Sequence, residues 1–221
     1  MATAAPTTVV DSKSKTLMEA SLFAVPVLLG GGMFLLSLAS APGAGDTLFA
    51  LAGGLMVGFY LLILGLALAM PFALYFDAKA VGQHELEWEP TAILYAIGGL
   101  FLSGLLVMHY LYKRYQYTAD ADTRDSWWYV VAAYPVVLVI SAVALFTGFP
   151  TVAFVFGGAV SALTPIALYK DAAHLRTKSD GWLPNPINYY LGFVFGAFLV
   201  VVPVLVCLYY LFRRHRSVGL A

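Results

Sequence analysis

No Asp, Glu, Lys or Arg falls deep within any of the long apolar runs of this 221-residue chain. Proton relays, voltage sensors and coupled ion carriers place ionisable groups there despite a cost of several kcal/mol, so their absence weighs against an ion pump. Cysteine occurs once, at Cys207, which excludes an internal disulfide and any thiolate metal cage built from this chain alone. Charge of either sign is in balance, with 12 Lys+Arg against 12 Asp+Glu, leaving no basic excess to attract nucleic acid. The G-x-S-x-G, H-E-x-x-H, P-loop and G-x-G-x-x-G patterns are missing, and with them the common hydrolytic, metalloprotease and nucleotide signals. His109 is the only histidine inside an apolar run, so a bis-histidine haem has no second ligand, and no cofactor is expected.

What is present is hydrocarbon. Hydrophobic residues make up 61% of the chain and charged residues 11%, with a mean hydropathy of +0.83. A soluble domain has about a quarter of its residues charged. The solvent for most of this chain is lipid.

The order of the runs predicts an all-α integral membrane protein with six transmembrane helices. Residues 1–16 read as a polar tail. A first span covers Ala20–Ala39, too long for the apolar part of a secretory signal despite the A-x-A at Ala39-Ser40-Ala41. Leu48–Phe76 is the second, with Pro71 as a kink point. Thr91–Tyr112 is the third, opened by Pro90 and closed by an aromatic and cationic belt from Tyr110 to Tyr117. A hydrated connector, 118–126, leads to a fourth span from Trp127 to Thr147. Gly148-Phe149-Pro150 then makes a tight turn into the fifth, Thr151–Tyr169, and Ile187–Phe212 is the sixth.

The chain also repeats itself. Residues 71–78 read PFALYFDA and 165–172 read PIALYKDA, and eleven positions after each aspartate comes W-x-P. Without a gap, 71–98 and 165–192 share Pro71/Pro165, Ala73/Ala167, Leu74/Leu168, Tyr75/Tyr169, Asp77/Asp171, Ala78/Ala172, Trp88/Trp182, Pro90/Pro184, Ile93/Ile187, Tyr95/Tyr189 and Gly98/Gly192. Shared apolar composition does not place Asp, Trp and both Pro in register. The halves are therefore 17–117 and 127–217, each a three-helix repeat. Three spans per copy is odd, so the second copy is expected to be flipped, as in inverted-topology transporters. On that topology six cations fall on each side, and the positive-inside rule cannot orient the chain.

The repeated residues Tyr75, Asp77, Trp88, Pro90, Tyr169, Asp171, Trp182 and Pro184 read as a latch. Each aspartate at a helix C-terminus faces the negative end of the helix dipole and calls for a compensating donor. The turn at W-x-P, Lys79, Lys170 and Arg176 are the expected partners. The functional alternative makes the two aspartates equivalent ion, proton or headgroup sites on opposite faces. His84, Glu85, Glu87 and Glu89 offer a cation-attracting loop, but the second copy has Lys178, Ser179, Gly181 and Leu183 there, so no metal site is shared. Asp171 and His174 form a local pair. Gly54/Gly58 and Gly192/Gly196 are G-x-x-x-G pairs suited to close helix packing or self-association.

The L-Y-x-D-A and W-x-P motifs, with the Tyr209-Tyr210-Leu211-Phe212-Arg213-Arg214-His215-Arg216 ending, resemble small multi-pass membrane proteins of halophilic archaea. The resemblance implies a cell-membrane location and carries no activity. The leading expectation is a non-catalytic scaffold or accessory subunit that binds lipid or a partner's transmembrane helices. The alternative is a small-solute transporter or channel with a midplane cavity between the repeats, lined by Tyr60, Ser103, Tyr134, Ser141, Ser161 and Thr164. A third reading, a lipid-directed enzyme, needs Asp77 or Asp171 beside His84, His109 or His174 in an open cleft.

Overall fold

In lipid every backbone polar group must be satisfied within the chain, and an apolar sequence without strand alternation meets that demand as helices. The computed structural model describes residues 8–39, 45–119, 125–178, 182–199 and 201–218. Helices dominate these: α1 Lys13–Ala39, α2 Asp46–Val81, α3 Ala92–Tyr117, α4 Trp128–Phe146, α5 Pro150–Lys178, α6 Pro186–Gly196 and α7 Val201–Val218. Four stretches are long and apolar enough to cross a membrane: Phe49–Val81, Ala92–Tyr117, Trp128–Phe146 and Pro150–Lys178.

The second of these four does not run straight. Leu102 leaves helical geometry (φ −132°, ψ 37°), and Tyr95 and Tyr110 lie with ring centroids 4.8 Å apart. Fifteen residues of straight helix would separate them by about 22 Å. Trp88 and Tyr117, flanking the element, also stack at 5.9 Å. Thus α3 goes in, reverses at Leu102 and comes back to the level at which it started. The same shape recurs as α6 and α7, where Tyr189 and Tyr210 are again 4.8 Å apart and Gly192 faces Val206. The expected third and sixth spans are helical hairpins, each with an apolar tip: Leu100 and Phe101 in one, Phe198 and Leu199 in the other, all exposed.

This corrects the expected inversion as well. With each hairpin returning to the level at which it started, each half holds two long helices besides its hairpin, and the segments that enter α1 and α4 lie at the same end, at Asp77 and at Arg214. Asp77 and Asp171 accordingly sit in one layer, both near the C-terminal ends of their helices. The two halves are stitched together at that level by Tyr169 and Tyr115, whose hydroxyls are 3.2 Å apart, and by Asn185 Nδ2 donating to the Tyr112 carbonyl at 2.9 Å.

Two close approaches fix the scaffold. At the α4–α5 turn Gly148 takes φ +86°, a left-handed conformation that a side chain would strain, and the Phe149 N–H bonds back to Ala144 at 2.8 Å. The expected antiparallel pair follows, with Pro150 opening α5. In α1, a Cβ on Gly30 would lie 2.8 Å from Ala162 Cβ and 2.9 Å from the Gly158 carbonyl oxygen. Only glycine lets α1 lie directly on α5 there, and that contact joins the two halves. The core continues through Met18, Leu22, Leu74, Tyr110, Leu111, Tyr115, Tyr169 and Tyr190.

Candidate functional site

Each hairpin returns a Tyr and an Arg four residues apart on one helical face, aimed at the repeated aspartate. In the first copy Tyr110 Oη and Arg114 Nε both donate to Asp77 Oδ2 at 2.8 Å, and Ser12 Oγ donates to Oδ1. Arg114 Nη2 donates to the Val10 carbonyl. In the second, Tyr210 Oη and Arg214 Nε donate to Asp171 Oδ2 at 2.6 and 3.0 Å, and Arg214 Nη2 reaches Asp125 at 2.7 Å. The segment entering α1 and the one entering α4 thus do the same work with different groups, a carbonyl in one and a carboxylate in the other. Trp88 rests on Tyr110 and Trp182 on Tyr210, both at 5.4 Å.

The latch expectation therefore has other partners than those named from sequence. Lys170 bonds Glu19, at 2.7 Å, and Arg176 approaches the Leu183 and Pro184 carbonyls. His174 lies 3.5 Å from Asp125. Tyr110, Arg114, Tyr210 and Arg214 went unrecognised because 37 residues separate Asp77 from Arg114 and 43 separate Asp171 from Arg214. Six extra residues at the second tip defeat a gapless alignment. The signal was present as Tyr-Leu-x-x-Arg at 110–114 and 210–214.

Between the latches lies a third cluster that belongs to neither copy alone. Glu19 accepts from Tyr115 at 2.8 Å, Tyr169 at 3.0 Å and Lys170 at 2.7 Å, with Lys15 at 3.4 Å. Both Lys15 and Glu19 precede the apolar run that begins at Ala20. Burial pushes the Lys15 ammonium down from the ordinary 10.5 to about 8, against the pull of Glu19. For Glu19 burial acts upward, but Lys15 and Lys170 outweigh it and hold the carboxyl below its usual 4.5.

Both aspartates are fully buried and tied to arginine, with no open cleft around them. Among the described residues no three His, Cys, Asp or Glu side chains converge as metal ligands. Tyr75 is half-buried against Phe76, whereas its counterpart Tyr169 is in the Glu19 cluster; Pro90 and Pro184 are buried.

Two hollows remain. One, of about 640 Å³, lies amid α1, α4, α5, α6 and α7 and is walled by apolar groups together with Tyr134, Ser141 and Ser161. Ser141 Oγ is buried there without a hydrogen-bond partner. Of the other expected lining residues, Thr164 is buried and bonds the Val160 carbonyl at 2.7 Å, Tyr60 is exposed on α2, and Ser103 lies next to the reversal of α3. The second hollow, about 560 Å³, is on the α6–α7 hairpin. Gly54 and Gly58 face open space, while Gly192 and Gly196 meet Val206 and Val202 inside the hairpin.

No family model, curated relative or solved structure matches the chain.

Proposed function

We propose that this is a non-catalytic, multi-pass accessory protein of the cell membrane, crossing it with α1, α2, α4 and α5, whose two hairpins dip into the cytoplasmic leaflet and bind lipid. The observation that carries it is the distribution of charge. Eleven of the 12 Lys and Arg lie in or beyond the layer that holds both latches, at the ends of α1, α2, α3, α5 and α7; the twelfth, Arg124, falls outside the described residues, between Ala119 and Asp125. Neither opposite loop, 40–45 or 147–149, contains a cation. A six-against-six balance becomes a one-sided one once the hairpins return, and by the positive-inside rule the latch layer faces the cytoplasm. The ten residues from Ala92 to Phe101 reach about 15 Å, half the hydrocarbon thickness. The exposed apolar face of α2, from Phe49 through Leu68, suits lipid or a partner's helix. The resemblance to halophilic archaeal membrane proteins agrees with this location.

The test is single-cysteine labelling in a Cys207→Ala background. Gln83→Cys and Ser179→Cys are expected to react from the same, cytoplasmic side. Labelling from opposite sides would sink the reading.

A second reading, a small-solute transporter, is favoured by the 640 Å³ hollow, because residues of both halves wall it and Ser141 offers an unused hydroxyl. It has no charged group, so its solute would be largely apolar. Uptake into proteoliposomes abolished by Ser141→Leu is the result that would promote it.

A further inference from the structure

We propose that the hollow on the second hairpin holds one anionic phospholipid, with its phosphate against Arg213. This rests on the lipid-binding reading and names the headgroup class. The slot runs from Trp182, Asn188 and Tyr209 at the charged end of the hairpin to Gly192, Val202 and Leu205 nearer the tip. Its walls change from hydrogen-bonding groups to bare hydrocarbon in the direction in which a lipid changes from headgroup to chain. Among the described residues no acidic side chain lines it.

Arg213 supplies the charge. It follows Tyr209 by one turn of α7, and its guanidinium lies over the Trp182 ring, 5.5 Å from the centroid. Among the described residues no carboxylate pairs with it, whereas the adjacent Arg214 is held by Asp171 and Asp125. A half-buried guanidinium stacked on an aromatic at headgroup level keeps its donors free for a phosphate, which it can grip with two parallel bonds.

The first copy is the built-in contrast. There Tyr117 stacks on Trp88 at 5.9 Å, and Leu106 comes close enough that a Cβ on Gly98 would meet it at 2.8 Å. In the second copy Val206 leaves 3.6 Å at Gly192. Asn188 stands where the first copy has Leu94, and Leu183 where it has Glu89, so among these positions the second groove gains an amide and loses an acid.

The experiment is native mass spectrometry of the full-length protein in detergent, titrated with phosphatidylglycerol and, separately, phosphatidylcholine of the same acyl chains. One site is expected to favour phosphatidylglycerol by about fivefold, the effect of one cation at an anionic lipid. Arg213→Gln removes that preference, Arg213→Lys keeps most of it, and Lys113→Gln, the equivalent change in the first copy, leaves it intact. Equal binding of the two lipids overturns the inference, as does an equal loss in Arg213→Gln and Lys113→Gln, which would mean diffuse surface charge. Displacement of phosphatidylglycerol by inorganic phosphate also overturns it, since the site would then read phosphate and not lipid. Lipid retained with no headgroup preference removes this inference alone; no retained lipid together with labelling of positions 83 and 179 from opposite sides removes the reading beneath it.

Discussion

The two latches share a design and differ in which partner is left with an unpaired atom, the arginine in the first and the aspartate in the second. Asp77 has both carboxylate oxygens occupied, one by Ser12 and the other by Tyr110 and Arg114. Asp171 has Tyr210 and Arg214 on one oxygen, and its Oδ1 is buried with no partner. The hairpins differ too, the first bringing Leu106 onto Gly98 and the second longer and hollowed. Each latch keeps one buried polar atom unpaired, Arg114 Nη1 on the cation side of the first and Asp171 Oδ1 on the acid side of the second. A buried ion pair is not by itself a source of stability, because desolvation offsets much of the attraction, but removing one partner strands the other. The latches therefore fix where each hairpin returns more than they hold the helices together.

The largest effect that would break this comparison is loss of a latch acid. Asp77→Ala strands a fully buried Arg114 and is expected to cost about 3–5 kcal/mol of stability in detergent. Asp171→Ala should cost less, by about 1 kcal/mol, because Asp125 still faces Arg214 and one oxygen was unbonded already. Equal losses in thermal or denaturant unfolding would remove the distinction. Next in size, Glu19→Gln weakens a cluster that serves both copies, and about 2 kcal/mol is expected.

That cluster also sets a pH dependence. Because the Glu19 carboxyl is held below 4.5, its stabilisation is present above that pH and is lost as pH falls through the lowered value. Lys15 acts in the other range. Its lowered pKa means that the cost of burying its charge is fully present below about 8 and is relieved between about 8 and 10.5. Unfolding temperature measured across both windows should fall at acid pH and rise slightly at alkaline pH, and Glu19→Gln should flatten the acid limb. The smallest effect sharpens the contrast between hairpins. Gly98→Ala must displace Leu106 and is expected to cost about 1 kcal/mol, whereas Gly192→Ala finds ordinary contact and should change stability by less than about 0.5 kcal/mol.

Much of the site could be read from the chain. Asp77, Asp171, Trp88 and Trp182 were picked out by register alone, and their role as latches follows from a carboxylate at the wrong end of a helix dipole. Their arginines were hidden by an insertion, and Glu19 was hidden altogether, because a single acid before an apolar run carries no pattern. Its importance comes from Tyr115 and Lys170, which lie 96 and 151 residues away in the chain.

The sequence by itself determined that this chain folds as helices, several of them long and apolar enough to cross a membrane, and that residues 71–98 and 165–192 carry one registered motif, since backbone satisfaction and a motif do not depend on how the pieces pack. Whether Thr91–Tyr112 crosses or returns was decided only in three dimensions. Hydropathy measures length and not direction, and a hairpin has the same composition as a span. The packing of Tyr95 on Tyr110 and of Leu106 over Gly98 reverses the chain at Leu102. From that reversal follow the parallel sense of the copies and the gathering of the cations at one end.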